Sequence, residues 1–98
     1  MKKLAFQSPD EFNEYFQGKN PELTNLIVNA IREAMSFNKK SAQLFEISFD
    51  GVDTIFDISL TKSQWVVALE NCLSHYEEWS MGDDAIDTYL LIKDVKAW

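Results

Sequence analysis

Cysteine, histidine, glycine and basic residues are all scarce in this chain, and each shortage removes a class of protein. One cysteine, Cys72, cannot close an internal disulfide, which excludes a disulfide-stapled scaffold and points to a reducing compartment. With one histidine, His75, a Cys/His zinc site lacks two of its four ligands. Three glycines never gather into a loop after a strand, so no phosphate cradle of the usual kind is present. Nine basic residues face sixteen acids, and the net charge of −7 repels nucleic-acid backbones and anionic membranes. The lysines at 2–3, 39–40, 93 and 96 form no stripe with interleaved aromatics, so direct nucleic-acid binding is not expected. No apolar run is long enough to span a bilayer, and Met1–Phe6 has no apolar stretch after its lysines, so no signal peptide is expected either. A cytoplasmic protein is the default expectation. There is no repeat, low-complexity tract or linker.

What is present is apolar surface. At 46% apolar and 13% aromatic, 98 residues are enough for one core without staples, so residues 1–98 read as a single domain. The strongest local signal is Asp50-Gly51 between two alternating runs, 42–49 and 52–60. Asp-Gly favours a two-residue type I′ hairpin, which needs positive φ at both central residues. That turn sets a register in which Phe49 opposes Val52, Ile47 opposes Thr54, Phe45 opposes Phe56 and Gln43 opposes Ile58. Phe45, Ile47, Phe49, Phe56, Ile58 and Leu60 then point into the core. The opposite face carries Leu44, Glu46 and Ser48 against Asp57, Ile55 and Asp53.

Helices are signalled on both sides of the hairpin. Ser8-Pro9-Asp10-Glu11 combines a cap, a first-turn proline and a capping-box acid. Phe12, Tyr15 and Phe16 follow at helical spacing, and Gly18 is the expected stop. Asn20-Pro21-Glu22 opens a longer helix with the stripe Leu23, Leu26, Ile27, Ala30, Ile31 and Ala34, fading at Asn38-Lys39-Lys40. Thr61-Lys62-Ser63-Gln64 is a second capping box. It starts a helix with Trp65, Leu69, Cys72, Leu73, Tyr76 and Trp79 on one face, broken at Met81-Gly82. Asp83 or Asp84 is placed to cap the next element. Residues 85–98 fit a helix through Ile86, Tyr89, Leu90 and Lys93, or a buried strand over 88–92. Acids at the start and lysines near the end favour the helix. The expected fold is α+β, a single small domain with the β-hairpin covered by helices in the order ααββαα, the last element alone open to a strand reading.

The residue types that carry chemistry gather poorly. Cys72 and His75 are neighbours on one helix, but Cys72 falls inside the apolar stripe and reads as a buried, inert thiol. One histidine gives no spacing from which to argue a Ser-His-Asp set. No catalytic residue, cofactor or metal site is expected. Glu46, Asp53 and Asp57 around Leu44 and Ile55 make an acidic rim on a small apolar centre, the leading partner-binding candidate. The plainer alternative is a solvated sheet face whose charges discourage edge-to-edge pairing. Asp83, Asp84 and Asp87, with Glu77 and Glu78 upstream, are the secondary candidate. The apolar residues Val67, Trp79, Met81 and Trp98 also fit poorly into one small core.

No motif ties the chain to a family. Its short, acidic, cysteine-poor character resembles the accessory proteins that phages and mobile elements encode to bind host proteins. That resemblance is one of composition and carries no residues across. The function expected from the sequence is a non-enzymatic acidic protein-interaction module, a small regulator or inhibitor engaging a basic or mixed surface of another protein. The alternatives are a nucleic-acid mimic that blocks a DNA- or RNA-binding protein, and a homo-oligomeric subunit pairing through open strand edges, down to a homo-dimer.

Overall fold

The structure is a computed structural model that describes residues 2–17 and 20–98. It holds the expected order ααββαα, preceded by a strand the sequence reading does not contain. Strand β1, Lys2–Phe6, is followed by α1, Pro9–Gln17, and α2, Pro21–Ser36. Then come β2, Ser41–Phe49, and β3, Phe56–Thr61, and finally α3, Lys62–Glu78, and α4, Gly82–Ala97. The sheet order is β1-β2-β3, with β1 parallel and β3 antiparallel to the central β2. A parallel neighbour needs a long crossover, and α1 with α2 supply it. Residues 85–98 form α4 up to Ala97, so the strand reading of this segment is set aside.

The helix starts follow their sequence signals. Glu11 N–H donates to Ser8 Oγ at 3.3 Å, and Asn20 Oδ1 accepts from Glu22 N–H at 2.9 Å and from Leu23 N–H at 3.4 Å. Thr61 N–H donates to Gln64 Oε1 at 2.9 Å, the reciprocal arm of a capping box. Asn38 ends α2 in the left-handed region at φ 54°, a conformation asparagine tolerates better than most residues. Two expected signals behave otherwise. Ser80, not Gly82, takes the positive φ that stops α3, and Gly82 is already helical. Met81 holds the cap position of α4, while Asp83 and Asp84 lie in its first turn, where carboxylates oppose the positive helix end. The stop assigned to Gly18 lies outside the described residues.

The hairpin register differs from the expected one. Ile47 pairs with Phe56, Glu46 with Asp57 and Phe45 with Ile58. Gly51 has φ +77°, but Asp50 is not left-handed, so the turn cannot be type I′. Val52 N–H still donates to Phe49 O at 3.2 Å, closing a turn with positive φ only at its second central position. Turns of that hand splay the strands. The chain therefore leaves the ladder over 52–55 and re-enters two positions late. A two-residue slip preserves which face each side chain takes. Phe45 and Ile47 are buried and Phe49, Ile58 and Leu60 half-buried, but Phe56 is 43% exposed at the frayed end of the pairing.

A bulge then corrects the phase. The register shifts between Gln43 and Phe45, leaving Leu44 as the extra residue. Beyond it Gln43 pairs with Ser59 and Ala42 with Leu60. Without the bulge, alternation from Phe45 would send Gln43 inward. With it, Ala42, Leu44, Phe45 and Ile47 are all buried and Gln43 is exposed.

Two apolar clusters result. One joins Phe6, Leu23, Leu44, Phe45 and Ile47, with Phe12 and Tyr15 of α1 packed on it. The other joins Val28, Ile31 and Ala34 of α2 to Trp65, Leu69, Cys72 and Tyr76 of α3 and to Leu91, Ile92 and Val95 of α4. Helix α2 faces both. Ile27, Ala30 and Leu60 pack against each cluster and tie them together. At the far end the Trp98 ring stacks on buried Trp65 with centroids 6.0 Å apart, and Lys62 Nζ lies 4.3 Å from the Trp98 centroid.

Candidate functional site

The loop created by the late re-entry of β3 is an exposed surface of mixed chemistry. Every residue from Asp50 to Asp57 is exposed. Within that span Val52, Ile55 and Phe56 are large apolar side chains in water, and Asp50, Asp53 and Asp57 are interleaved with them. Phe56 is steadied from one side by Phe49, their centroids 6.0 Å apart. The base of the loop is anchored because Asp50 N–H donates to Phe6 O at 3.1 Å, extending the β1–β2 ladder into the turn.

The five residues expected to form one patch are distributed over three places. Ile55, 61% exposed, and Asp53 are in the loop. Glu46 and Asp57 are direct cross-strand partners on the outer sheet face, where Lys3 Nζ lies 4.0 Å from Glu46 Oε2. That lysine relieves the repulsion two facing carboxylates would otherwise exert. Leu44 is 4% exposed and belongs to the core, so it cannot be the apolar centre of a surface site. The bulge is the reason: it turns Leu44 to the side on which Leu26 and Ala30 of α2 pack. Val52 and Phe56 take its place in the exposed set. The signal for them was the composition Asp-Gly-Val-Asp-Thr, which suits a loop longer than two residues.

The secondary acids Asp83, Asp84 and Asp87 sit on the first turns of α4. Asp84 and Asp87 border a small cavity of about 230 Å³ with Asn25, Arg32, Tyr76 and Thr88. There the Tyr76 hydroxyl donates to Asn25 Oδ1. Burial pushes the Tyr76 phenol up to about 12, helped by the neighbouring Cys72 and Asp84 and opposed by Arg32. Thr88 is 1% exposed and satisfies its hydroxyl on Asp84 O at 2.8 Å. Its neighbours Ile86, Tyr89 and Leu90 point outward instead, the reverse of the stripe read from the sequence.

Cys72 and His75 do not form a couple. Cys72 Sγ points to Thr24 O at 3.9 Å, and His75 Nδ1 lies 3.5 Å from Thr24 Oγ1, so both turn to different atoms of one α2 residue. Burial pushes the Cys72 thiol up to about 12, which removes the thiolate a nucleophile or metal ligand needs. Among the described residues no three His, Cys, Asp or Glu side chains are grouped to hold a metal ion, and no helix is long and apolar enough to cross a membrane. No buried side-chain polar atom among them lacks a hydrogen-bond partner.

No protein family model, curated protein or solved structure matches the chain.

Proposed function

We propose that this chain is a non-enzymatic protein-interaction module whose hairpin loop engages a basic or mixed surface of another protein. The observation that carries the reading is the composition of the exposed span Asp50–Asp57: apolar side chains a partner can bury, set among carboxylates that select for cations. Anchoring of the loop at Asp50 and Phe56 limits the ordering entropy that binding must overcome. A small regulator or inhibitor is the role such a surface suits, because occupying a partner's basic patch requires no chemistry of its own.

The test is a comparative capture from a lysate of the organism that encodes the chain. Wild type is run beside Val52→Ser/Ile55→Ser and Asp53→Asn/Asp57→Asn. These positions are exposed, so folding is retained. A protein held by wild type and lost from both variants supports the reading. Its affinity, followed by surface plasmon resonance, should fall with added salt and lose that dependence in the Asp variant. Identical captures by all three forms would exclude the loop as the binding surface.

A further inference from the structure

Helix α4 has two apolar faces, and only one of them is covered. Thr88, Leu91, Ile92 and Val95 are buried against α3 and α2. Ile86, 61% exposed, and Leu90 lie one turn apart on the outer side, with Tyr89 beside them. The helix keeps a threonine inside and leaves an isoleucine, a leucine and a tyrosine outside, an arrangement that favours a partner on the outer face.

The charges beside this row are sorted by edge. Asp87 and Asp94 lie on the edge facing α2, where with Arg32, Leu90 and Leu91 they line an open groove of about 410 Å³. Tyr89, Lys93 and Lys96 fall on the opposite edge, with Lys93 Nζ 5.7 Å from the Tyr89 centroid. Among the described residues neither Asp87 nor Asp94 has an ion-pair partner within 4.0 Å. The Arg32 guanidinium donates to Asn29 Oδ1 at 3.1 Å.

Charge argues against a second copy of the chain. In an antiparallel two-fold pair of helices, like edges meet, so Asp87 would face Asp94 across the seam. In a parallel pair the acidic edge of one copy would meet the lysine edge of the other, and there it is the charge of the whole chain that opposes pairing. A net charge of −7 on each copy adds to the repulsion.

We propose that the α4 face docks a basic amphipathic helix of another protein, laid along the groove between α2 and α4. Its apolar stripe covers Ile86 and Leu90, and its cations reach Asp87 and Asp94. This surface shares no residue with the hairpin loop.

The probe is a fluorescently labelled synthetic peptide with α4's own length of 16 residues, leucine at heptad a and d positions and lysine elsewhere. Controls are a scrambled peptide of the same composition and a peptide with glutamate in place of lysine. In anisotropy titrations the basic amphipathic peptide should bind, the glutamate peptide should not, and the scramble should bind at least about tenfold more weakly. Asp87→Asn with Asp94→Asn should weaken binding by about tenfold and flatten its salt dependence. Val67→Ser, at an exposed position of α3, should leave it unchanged. Peptide-induced amide shifts in wild type should centre on residues 86–94 and Arg32, a readout independent of whether any variant folds. Equal binding of the scramble, or shifts centred on residues 50–57, would overturn the proposal. So would a dimer in light scattering that Ile86→Ser/Leu90→Ser converts to monomer.

Discussion

Leu44 and Ile55 are both aliphatic, and each takes its role from backbone geometry one or two residues away. The bulge places Leu44 in the core, and the splayed turn leaves Ile55 in water. Leu44→Ala should cost about 2–5 kcal/mol, and Ile55→Ser should stay within about 0.5 kcal/mol on denaturant titration. The aromatic pair Phe45 and Phe56 divides in the same way. Phe45→Ala should cost about 3–5 kcal/mol, while half-exposed Phe56→Ala should cost about 1 kcal/mol. Equal losses at Phe45 and Phe56 would mean that the tight hairpin register holds after all. Cys72 and Tyr76 make a second prediction. Cys72 rises from 9.0 to about 12 and Tyr76 from 10.0 to about 12 on folding. Above about pH 9 the unfolded chain releases protons that the folded chain keeps, so stability present below that pH is lost as pH rises towards about 12. Between about pH 8 and about pH 10.5, the urea midpoint should fall less for Cys72→Ala and for Tyr76→Phe than for wild type. Unchanged slopes in both variants would show that neither group is titrated out of a buried site.

Among elements, those with end signals were legible. Ser8, Asn20 and Thr61 each open a helix in the structure as their spacing implies, because capping is a local interaction that sequence spacing encodes directly. Asn20→Ala should cost about 1 kcal/mol, read as a lower thermal midpoint with no change in the α3 and α4 amide shifts. The elements that escaped notice depend on distant partners. Strand β1 offers only Leu4 and Phe6 inward, too short an alternation to read alone, and exists because β2 lies open beside it. The bulge was visible only as the adjacent pair Leu44-Phe45, which no regular strand can bury on one face. In α4 the buried residues begin at Thr88, whose polarity hid the inner stripe from the sequence pattern and whose hydroxyl is satisfied by Asp84 O. The candidate site was legible in part for the same reason. Asp53, Asp57 and Ile55 are exposed as expected, while Leu44 was lost to the bulge, and Val52 and Phe56 were gained from a loop whose length the turn geometry decided.

At the scale of the molecule, two clusters share one helix. All three tryptophans, Trp65, Trp79 and Trp98, belong to the α3–α4 side, whereas the phenylalanines Phe6, Phe12, Phe45 and Phe49 gather on the sheet side. The two halves therefore carry different optical and exchange probes. Ile27 and Ala30 of α2 and Leu60 at the start of the α3 connection pack against both clusters. Trp65 strengthens the junction, since its Nε1–H donates to Leu60 O at 2.9 Å while its ring stacks on Trp98. Loss of either half would strip α2 of one packed face and expose Leu60, so neither half should persist alone. Urea unfolding followed by tryptophan fluorescence should then coincide with loss of amide protection in β2, with one midpoint and one slope. Trp98→Ala should lower both midpoints together, by about 1 kcal/mol from lost stacking and cation–π contact. A fluorescence transition that precedes the loss of β2 protection would show two independent units, and the bridging role of α2 would fail with it.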